Sequence, residues 1–187
     1  MSIQISRWLS KNIYRDHLLS RIVKNKKLVC IGCRVSCEED VLTIDDIFDK
    51  IEFYREKYDV FIQVFEADMI MGKVHLIWAY EKALRSFQQE TNRAISLEME
   101  TLLWSSGEKQ IKDALKKMGI KEETEHVAII SDSDPTGFVR YMGWEIEDDA
   151  LEPTMEKLRN YGITEDEIGS TDKPYDLLFE KMSIAIL

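Results

Sequence analysis

The sequence predicts an α+β fold, in which helices pack on a small mixed sheet as a two-layer sandwich. The chain has 187 residues, which suits one domain and is too short for two large ones. Hydrophobic residues make up 44% of it and charged residues 32%, so wholesale disorder is excluded. Strand-like runs and amphipathic helical segments follow one another without a repeat period, which excludes a solenoid. We therefore expect a single domain over residues 1–187.

Three strands are predicted from short runs of β-branched and aromatic residues, at 28–35, 60–65 and 127–130. The second run, from Val60 to Phe65, is continuously apolar, which is typical of a strand covered on both faces. We expect residues 1–27 to form a short strand and then a helix. Asp132–Gly137 is typical of a turn, and we interpret the acidic residues that follow it, from Glu145 to Glu156, as solvated surface.

Apolar periodicity predicts five helices, at 43–58, 73–89, 96–104, 108–118 and 172–187. The first begins at Thr43, and Asp46 stands where a capping box places its carboxylate. The fourth is expected to end at Gly119, because glycine favours the position after a helix. The last carries Pro174 in its first turn, where proline is tolerated.

The helix predicted at 73–89 has two distinct faces. Its apolar face consists of Leu76, Ile77, Tyr80, Ala83, Leu84 and Phe87. A second stripe consists of His75, Trp78, Lys82, Arg85 and Gln89. This stripe puts cations beside an aromatic ring, an arrangement that suits single-stranded nucleic acid. The alternative is that Trp78 and His75 are packing residues at the edge of the core.

The charge distribution bears on the class of partner. A net charge of −10 argues against a protein that binds polyanions with its whole surface. Residues 72–121 nevertheless hold 9 basic and 6 acidic side chains, whereas residues 122–187 hold 5 and 17. The middle of the chain is therefore a basic island, although an excess of three charges over fifty residues is also within chance fluctuation.

Three cysteines lie close together, at Cys30, Cys33 and Cys37. The first two fall within a predicted strand, whose alternation sends them to opposite faces, so one metal ion could not be held by both. We interpret all three as free thiols in a reducing compartment. We find neither a secretory signal nor an apolar run long enough to span a membrane, so we expect a cytoplasmic protein.

The sequence offers no catalytic constellation. It has no glycine-rich phosphate loop, no Gly-x-Ser-x-Gly and no His-Glu-x-x-His. The three histidines, His17, His75 and His126, are scattered. We therefore expect a protein that is not an enzyme and that needs no metal or cofactor.

A succession of motifs resembles one known family. The first is Gly-Lys-x-His-Leu from Gly72, followed by Ala79, Ala83 and Phe87 at intervals of four. Later matches are Ile95, Ser96, Glu100, Leu102, Leu103, Ser106, Gly107, Gln110, Ile111, Gly119, Ile120 and the segment 177–182. Together they resemble the kinase-regulatory subunit family of the KEOPS complex, the PRPK-binding protein family, and indicate an archaeal-type member. Residues 1–27 and 131–171 have no clear counterpart in it, so the latter are interpreted as an acidic insertion.

The resemblance implies an α+β sandwich and a non-catalytic role in making threonylcarbamoyladenosine in tRNA. Such a subunit docks on the N-lobe of a small protein kinase that works as an ATPase, and stimulates it. The kinase in turn holds the threonylcarbamoyl transferase. The subunit also captures the single-stranded 3′ CCA end of tRNA, and no membrane is involved. Two other hypotheses stay open: a kinase-tethering interaction module with no RNA contact, and a cysteine-dependent redox protein or small enzyme.

The resemblance and the basic stripe together give two sets of site residues. The expected tRNA-binding residues are Lys73, His75, Trp78, Lys82, Arg85, Ser106, Gly107 and Lys109. Lys109 stands where many relatives have arginine, which keeps the charge and loses the planar, bidentate contact with phosphate. The expected kinase-interface residues are the apolar stripe of the last helix, Leu178, Met182, Ala185 and Ile186. The alternative is that this stripe packs on the chain's own sheet.

Overall fold

A computed structural model of the protein describes residues 27–35 and 43–186. The strands are β1 (Val29–Arg34), β2 (Ile62–Glu66), β3 (His126–Ser131) and β4 (Glu145–Ile146). The helices are α1 (Ile44–Tyr58), α2 (Gly72–Gln88), α3 (Leu97–Ser106), α4 (Ile111–Met118), α5 (Thr136–Met142), α6 (Met155–Tyr161), α7 (Glu165–Gly169) and α8 (Pro174–Ile186). The predicted α+β class is confirmed.

The strands form one sheet in the order β2-β3-β1-β4. Within the described ranges every strand pair is antiparallel, so the expectation of a mixed sheet is wrong. The hydrophobic pattern of a strand reports its burial and carries no information about its direction, which is why the sequence could not decide this point. The sequence did not predict β4, because two residues are too few to show the alternation of a strand.

Helices cover both faces of the sheet, so the described part has three layers where the sequence suggested two. On one face, Cys30 and Phe65 pack in a core with residues of α2, α3 and α8. On the other face, Cys33 and Val64 pack with residues of α1 and α5. The two cysteines therefore lie on opposite faces, as predicted, and both are buried free thiols. Burial raises the pKa of Cys30 to about 11 and that of Cys33 to about 12. Cys37 lies outside the described residues.

The helix boundaries follow the predicted capping residues closely. The Thr43 hydroxyl accepts a hydrogen bond from the Asp46 amide, and the Asp46 carboxylate accepts one from the Thr43 amide, which completes the capping box of α1. α4 ends at Gly119 as expected, but for a different reason, since its φ of −73° is ordinary. A Cβ there would lie 2.4 Å from the carbonyl oxygen of Leu115, so the close approach requires glycine.

The acidic segment 131–171 is more ordered than expected. It contains α5, β4, α6, α7 and a short 3-10 turn at Asp148–Leu151. Eight of its apolar residues are buried in the two cores: Phe138, Val139, Met142, Trp144, Leu151, Leu158, Tyr161 and Ile163. The acidic side chains between Glu145 and Glu156 are exposed, as predicted, while apolar residues of the same segment are buried. The strand and helix predicted within residues 1–27 lie almost entirely outside the described residues.

Candidate functional site

The C-terminal half of α2 and the neighbouring α3 enclose a basic groove of about 290 Å³. Lys82 and Arg85 project from α2, Arg93 comes from the loop 89–96 that joins the two helices, and Trp104 comes from α3. We call the hollow lined by these four residues the basic groove. Arg85 and Arg93 are exposed, and Lys82 is half-buried.

Two indole rings support the cations of the basic groove. The Nζ atom of Lys82 lies 4.9 Å from the ring centre of Trp78, and the guanidinium carbon of Arg93 lies 5.9 Å from that of Trp104. The two rings meet edge to face, with their centres 6.0 Å apart. Trp78 also contacts Phe179 of α8, so it is partly buried between three helices. Trp78 is thus both a packing residue and a support for Lys82.

A buried carboxylate lies at the base of the basic groove. Glu100 of α3 is 1% exposed, and its two oxygens accept four hydrogen bonds. The donors are the Ser86 hydroxyl, the Trp104 indole N–H and the amides of Arg93 and Ala94. Glu100 therefore joins α2, α3 and the loop 89–96.

Lys73 lies at the other end of α2. It precedes Lys82 by nine positions, which corresponds to roughly 14 Å along the helix axis. Its amine lies 3.4 Å from the Asp148 carboxylate, and both side chains are about half exposed. Lys73 borders a separate hollow of about 360 Å³ with Asp148 and Glu152. The structure does not bring Lys73 together with Lys82 and Arg85.

His75 is fully buried, so its expected place on the exposed stripe is wrong. Its Nδ1 accepts a hydrogen bond from the Met71 amide at 3.2 Å, and its Nε2 lies 3.0 Å from the Ser105 carbonyl, to which it donates. Burial lowers the pKa of His75 to about 4, so the ring is neutral at pH 7. The ring ties the start of α2 to the end of α3 and cannot touch RNA in this conformation.

Ser106 and Gly107 end α3 and border a different hollow, of about 380 Å³. The Ser106 side chain is buried, and its hydroxyl donates to the Leu103 carbonyl and accepts a hydrogen bond from the Glu108 amide, so this hydroxyl is engaged within the chain. Gly107 has a φ of 68°, the left-handed conformation that glycine adopts easily. Lys109 is exposed just beyond it, before α4.

Lys117 is a cation of the hollow at Ser106 and Gly107. Its amine donates to the Ser106 carbonyl at 2.8 Å and lies 3.8 Å from the ring centre of Tyr161. Glu108 lies 3.6 Å away. Burial lowers the pKa of Lys117. These contacts hold the Lys117 amine against the end of α3. Helical periodicity did not predict this role for Lys117.

Half of the expected kinase-binding stripe of the last helix is buried within the chain. Leu178 and Met182 are fully buried and belong to the core formed with α2 and α3. Their assignment to a partner interface is therefore wrong, and the alternative of packing within the chain is right for these two. The side chains of Ala185 and Ile186 lie outside the described residues. Ile184 is 62% exposed on the same helix.

An acidic hollow of about 350 Å³ lies elsewhere on the molecule, lined among others by Glu66, Asp68, Glu123 and Glu125. Burial raises the pKa of Glu66, and the Thr124 hydroxyl donates to its carboxylate. Within residues 27–35 and 43–186, no group of three or more metal-ligating side chains is assembled. In those same ranges, no helix is long and apolar enough to cross a membrane.

Comparison with protein families identifies the family to which the chain is similar. A family model described as kinase binding protein CGI-121 matches residues 39–161, which is more than half of the chain. The match runs through most of the segment 131–171, up to residue 161. No curated protein sequence matches the chain. The family description supports a kinase-binding regulatory role, and the chain belongs to the CGI-121 family of kinase-binding proteins.

Proposed function

We propose that this chain is the non-catalytic regulatory subunit of the KEOPS tRNA threonylcarbamoyladenosine complex and acts in the cytoplasm. In this role it helps recruit tRNA by holding the single-stranded 3′ CCA end in the basic groove. The observation that carries the RNA part is the pairing of two cations with two indole rings, Lys82 with Trp78 and Arg93 with Trp104.

The chemistry of the basic groove suits a short single strand. Cations hold the phosphates, while an aromatic face offers a stacking surface worth about 1–3 kcal/mol per base. A volume of about 290 Å³ is small, so the groove takes very few nucleotides. The 17 acidic residues of 122–187 oppose the approach of a long duplex. A tRNA would therefore engage by its unpaired end.

A mobility-shift titration with two forms of one tRNA tests this function. One form carries the CCA end and the other lacks it, at the same salt concentration, because phosphate contacts depend on salt. We expect clearly tighter binding of the intact form. Equal affinity for both forms would refute capture of the 3′ end. No affinity for either would favour the alternative, a kinase-tethering module without RNA contact.

The kinase contact is proposed to involve the N-lobe of the small kinase, which in turn holds the transferase. Because Leu178 is buried and Ile184 is exposed on the same helix, the two residues make a matched pair. Leu178→Arg should unfold the protein, since an unpaired buried charge costs several kcal/mol. Ile184→Arg should keep the melting temperature and weaken kinase capture in a pull-down if α8 is the docking element. Full capture by Ile184→Arg would place the kinase contact on another element.

The isolated chain is proposed to lack catalytic activity. A highly purified sample should show no ATP hydrolysis, kinase activity or carbamoyl transfer. Turnover that disappears when a residue of this chain is changed would contradict the non-catalytic role.

A further inference from the structure

We propose that Glu100 is the positioning residue of the basic groove: its carboxylate holds the loop 89–96 and thereby sets Arg93 over Trp104. This proposal rests on the proposed function for its RNA consequence. Its structural part, the restraint of the loop by one carboxylate, can be tested without RNA.

The two oxygens of Glu100 have different tasks. Oε2 accepts the backbone amides of Arg93 at 2.8 Å and Ala94 at 2.7 Å, so it restrains the loop. Oε1 accepts hydrogen bonds from the Ser86 hydroxyl at 3.0 Å and from the Trp104 indole N–H at 3.2 Å, so it contacts α2 and the ring of Trp104. One side chain thus connects the elements that supply the cations and the ring.

A carboxylate suits this position because it offers two acceptor oxygens and the surrounding groups are donors. Four donors converge on it, and an ionised carboxylate is purely an acceptor with two oxygens. A glutamine amide would replace one of these oxygens by an NH2 group, a donor that would face other N–H or O–H donors. Hydrogen bonds to a charged group are also stronger than neutral ones. Glu100→Gln therefore changes the restraint on the loop with almost no change in volume.

The start of the loop is held to α2 by the Thr91 amide, which donates to the Ser86 carbonyl at 2.9 Å, so the Glu100 contacts restrain the part that follows. The loop follows α2 through Glu90, whose φ of 61° is in the left-handed region that residues other than glycine adopt at a cost. Arg93 itself is exposed and outside any regular element. Its guanidinium lies over Trp104 only if its backbone stays in place, and two adjacent amides bound to one oxygen provide that restraint.

The RNA test is a double-mutant cycle on tRNA affinity. Glu100→Gln and Arg93→Ala should each weaken binding by about tenfold, within the range of one stacked base or ion contact. The double variant should be little weaker than either single one, because Glu100 acts through Arg93. Lys82→Ala should have its full effect in the Glu100→Gln background. Additive effects of Glu100→Gln and Arg93→Ala would overturn the proposal, because additivity means that the two residues act independently. A general loss of stability would not distinguish Arg93→Ala from Lys82→Ala in the Glu100→Gln background.

Ser86→Ala is the matched control. It removes one donor to Oε1 and leaves both loop contacts to Oε2, so tRNA affinity should fall clearly less than in Glu100→Gln. A loss as large as that of Glu100→Gln would show that any disturbance of the network is enough, and would overturn the specific role of the loop contacts.

Amide hydrogen exchange of the protein alone separates this proposal from the proposed function. In the unaltered protein the amides of Arg93 and Ala94 should be protected although they lie in a loop, and Glu100→Gln should remove that protection. Exchange of these amides at the rate of an unstructured chain in the unaltered protein would refute the restraint, even if the variant failed to fold. Protected amides together with no tRNA affinity would keep the restraint, refute the proposed function and remove the RNA role of Glu100.

Discussion

The two ends of helix α2 carry residues of the same predicted site, yet the structure uses them differently. At the N-terminal end His75 is fully buried and Lys73 faces Asp148. At the C-terminal end Lys82 and Arg85 border the basic groove. The difference shows that helical periodicity predicts which residues share one face of a helix. It does not predict which other elements cover that face. We therefore expect a change at buried His75 to alter stability, and changes at the C-terminal end to alter RNA affinity.

The largest expected effect concerns His75 and the pH dependence of stability. Above pH 6.5 the ring is neutral in both the folded and the unfolded chain. As the pH falls from 6.5 to about 4, the unfolded chain takes up a proton that buried His75 does not, so the folded state loses about 3 kcal/mol. Urea unfolding at pH 7 and pH 4 should show this loss, and His75→Gln should lack that component of it.

The tRNA affinity of His75→Gln at pH 7 provides the control for this experiment. It should match that of the unaltered protein, provided that the variant is folded. A histidine that contacted RNA would instead show a loss of affinity with unchanged stability.

Next in size is charge reversal in the basic groove. Lys82→Glu with Arg85→Glu should weaken tRNA binding by about 100-fold and lower the slope of log affinity against log salt by about 2. The melting temperature should not change, because Arg85 is exposed and Lys82 half-buried. Lys112→Glu with Lys116→Glu makes the same charge change on the exposed face of α4 and is the matched control. Equal losses in both pairs would indicate general electrostatic attraction instead of a defined site.

A smaller effect is expected from changes of Trp104, the ring that lies beneath Arg93. Trp104→Ala should reduce tRNA affinity by about tenfold, because it removes one stacking surface and the ring beneath Arg93. Trp104→Phe keeps an aromatic face and should retain most of the affinity. If phenylalanine were no better than alanine, stacking would not be the contribution that Trp104 makes.

The smallest effect is expected from Lys73. Lys73→Ala removes an exposed ion pair with Asp148, of a kind worth roughly 0–1 kcal/mol, so stability should hardly change. Its affinity for tRNA should stay within about threefold of the original, because Lys73 lies some 14 Å from Lys82 along the helix. A tenfold loss of affinity would extend the RNA site to both ends of α2 and break the distinction between them.

Local rules predicted much of the fold. Alternation along a strand predicted that Cys30 and Cys33 face opposite cores, and the capping pattern predicted where α1 begins. The helix α5 was missed because Asp132–Gly137, with Pro135 at its centre, is typical of a turn. Without α5, nothing in the sequence showed that a second layer of helices covers the sheet.

The candidate site was predictable only in part. Periodicity placed Lys82 and Arg85 on one face of a helix, and both line the basic groove. Arg93 lies in a loop without periodicity, and its meeting with Trp104 depends on how α2 packs against α3. The burial of His75 likewise depends on the carbonyl of Ser105, thirty residues away. Contacts between distant segments carry no signal in a single sequence.

Photo-cross-linking of the tRNA end tests the central claim most directly. A tRNA with a photoreactive nucleotide in its CCA end is bound to the protein and irradiated, and the linked peptide is identified by mass spectrometry. We expect cross-links in 78–93 and at Trp104, the segments that form the basic groove, and their loss in the Lys82→Glu, Arg85→Glu variant. Cross-links confined to the acidic hollow around Glu66, or to the N-terminal end of α2 around Lys73, would contradict the account.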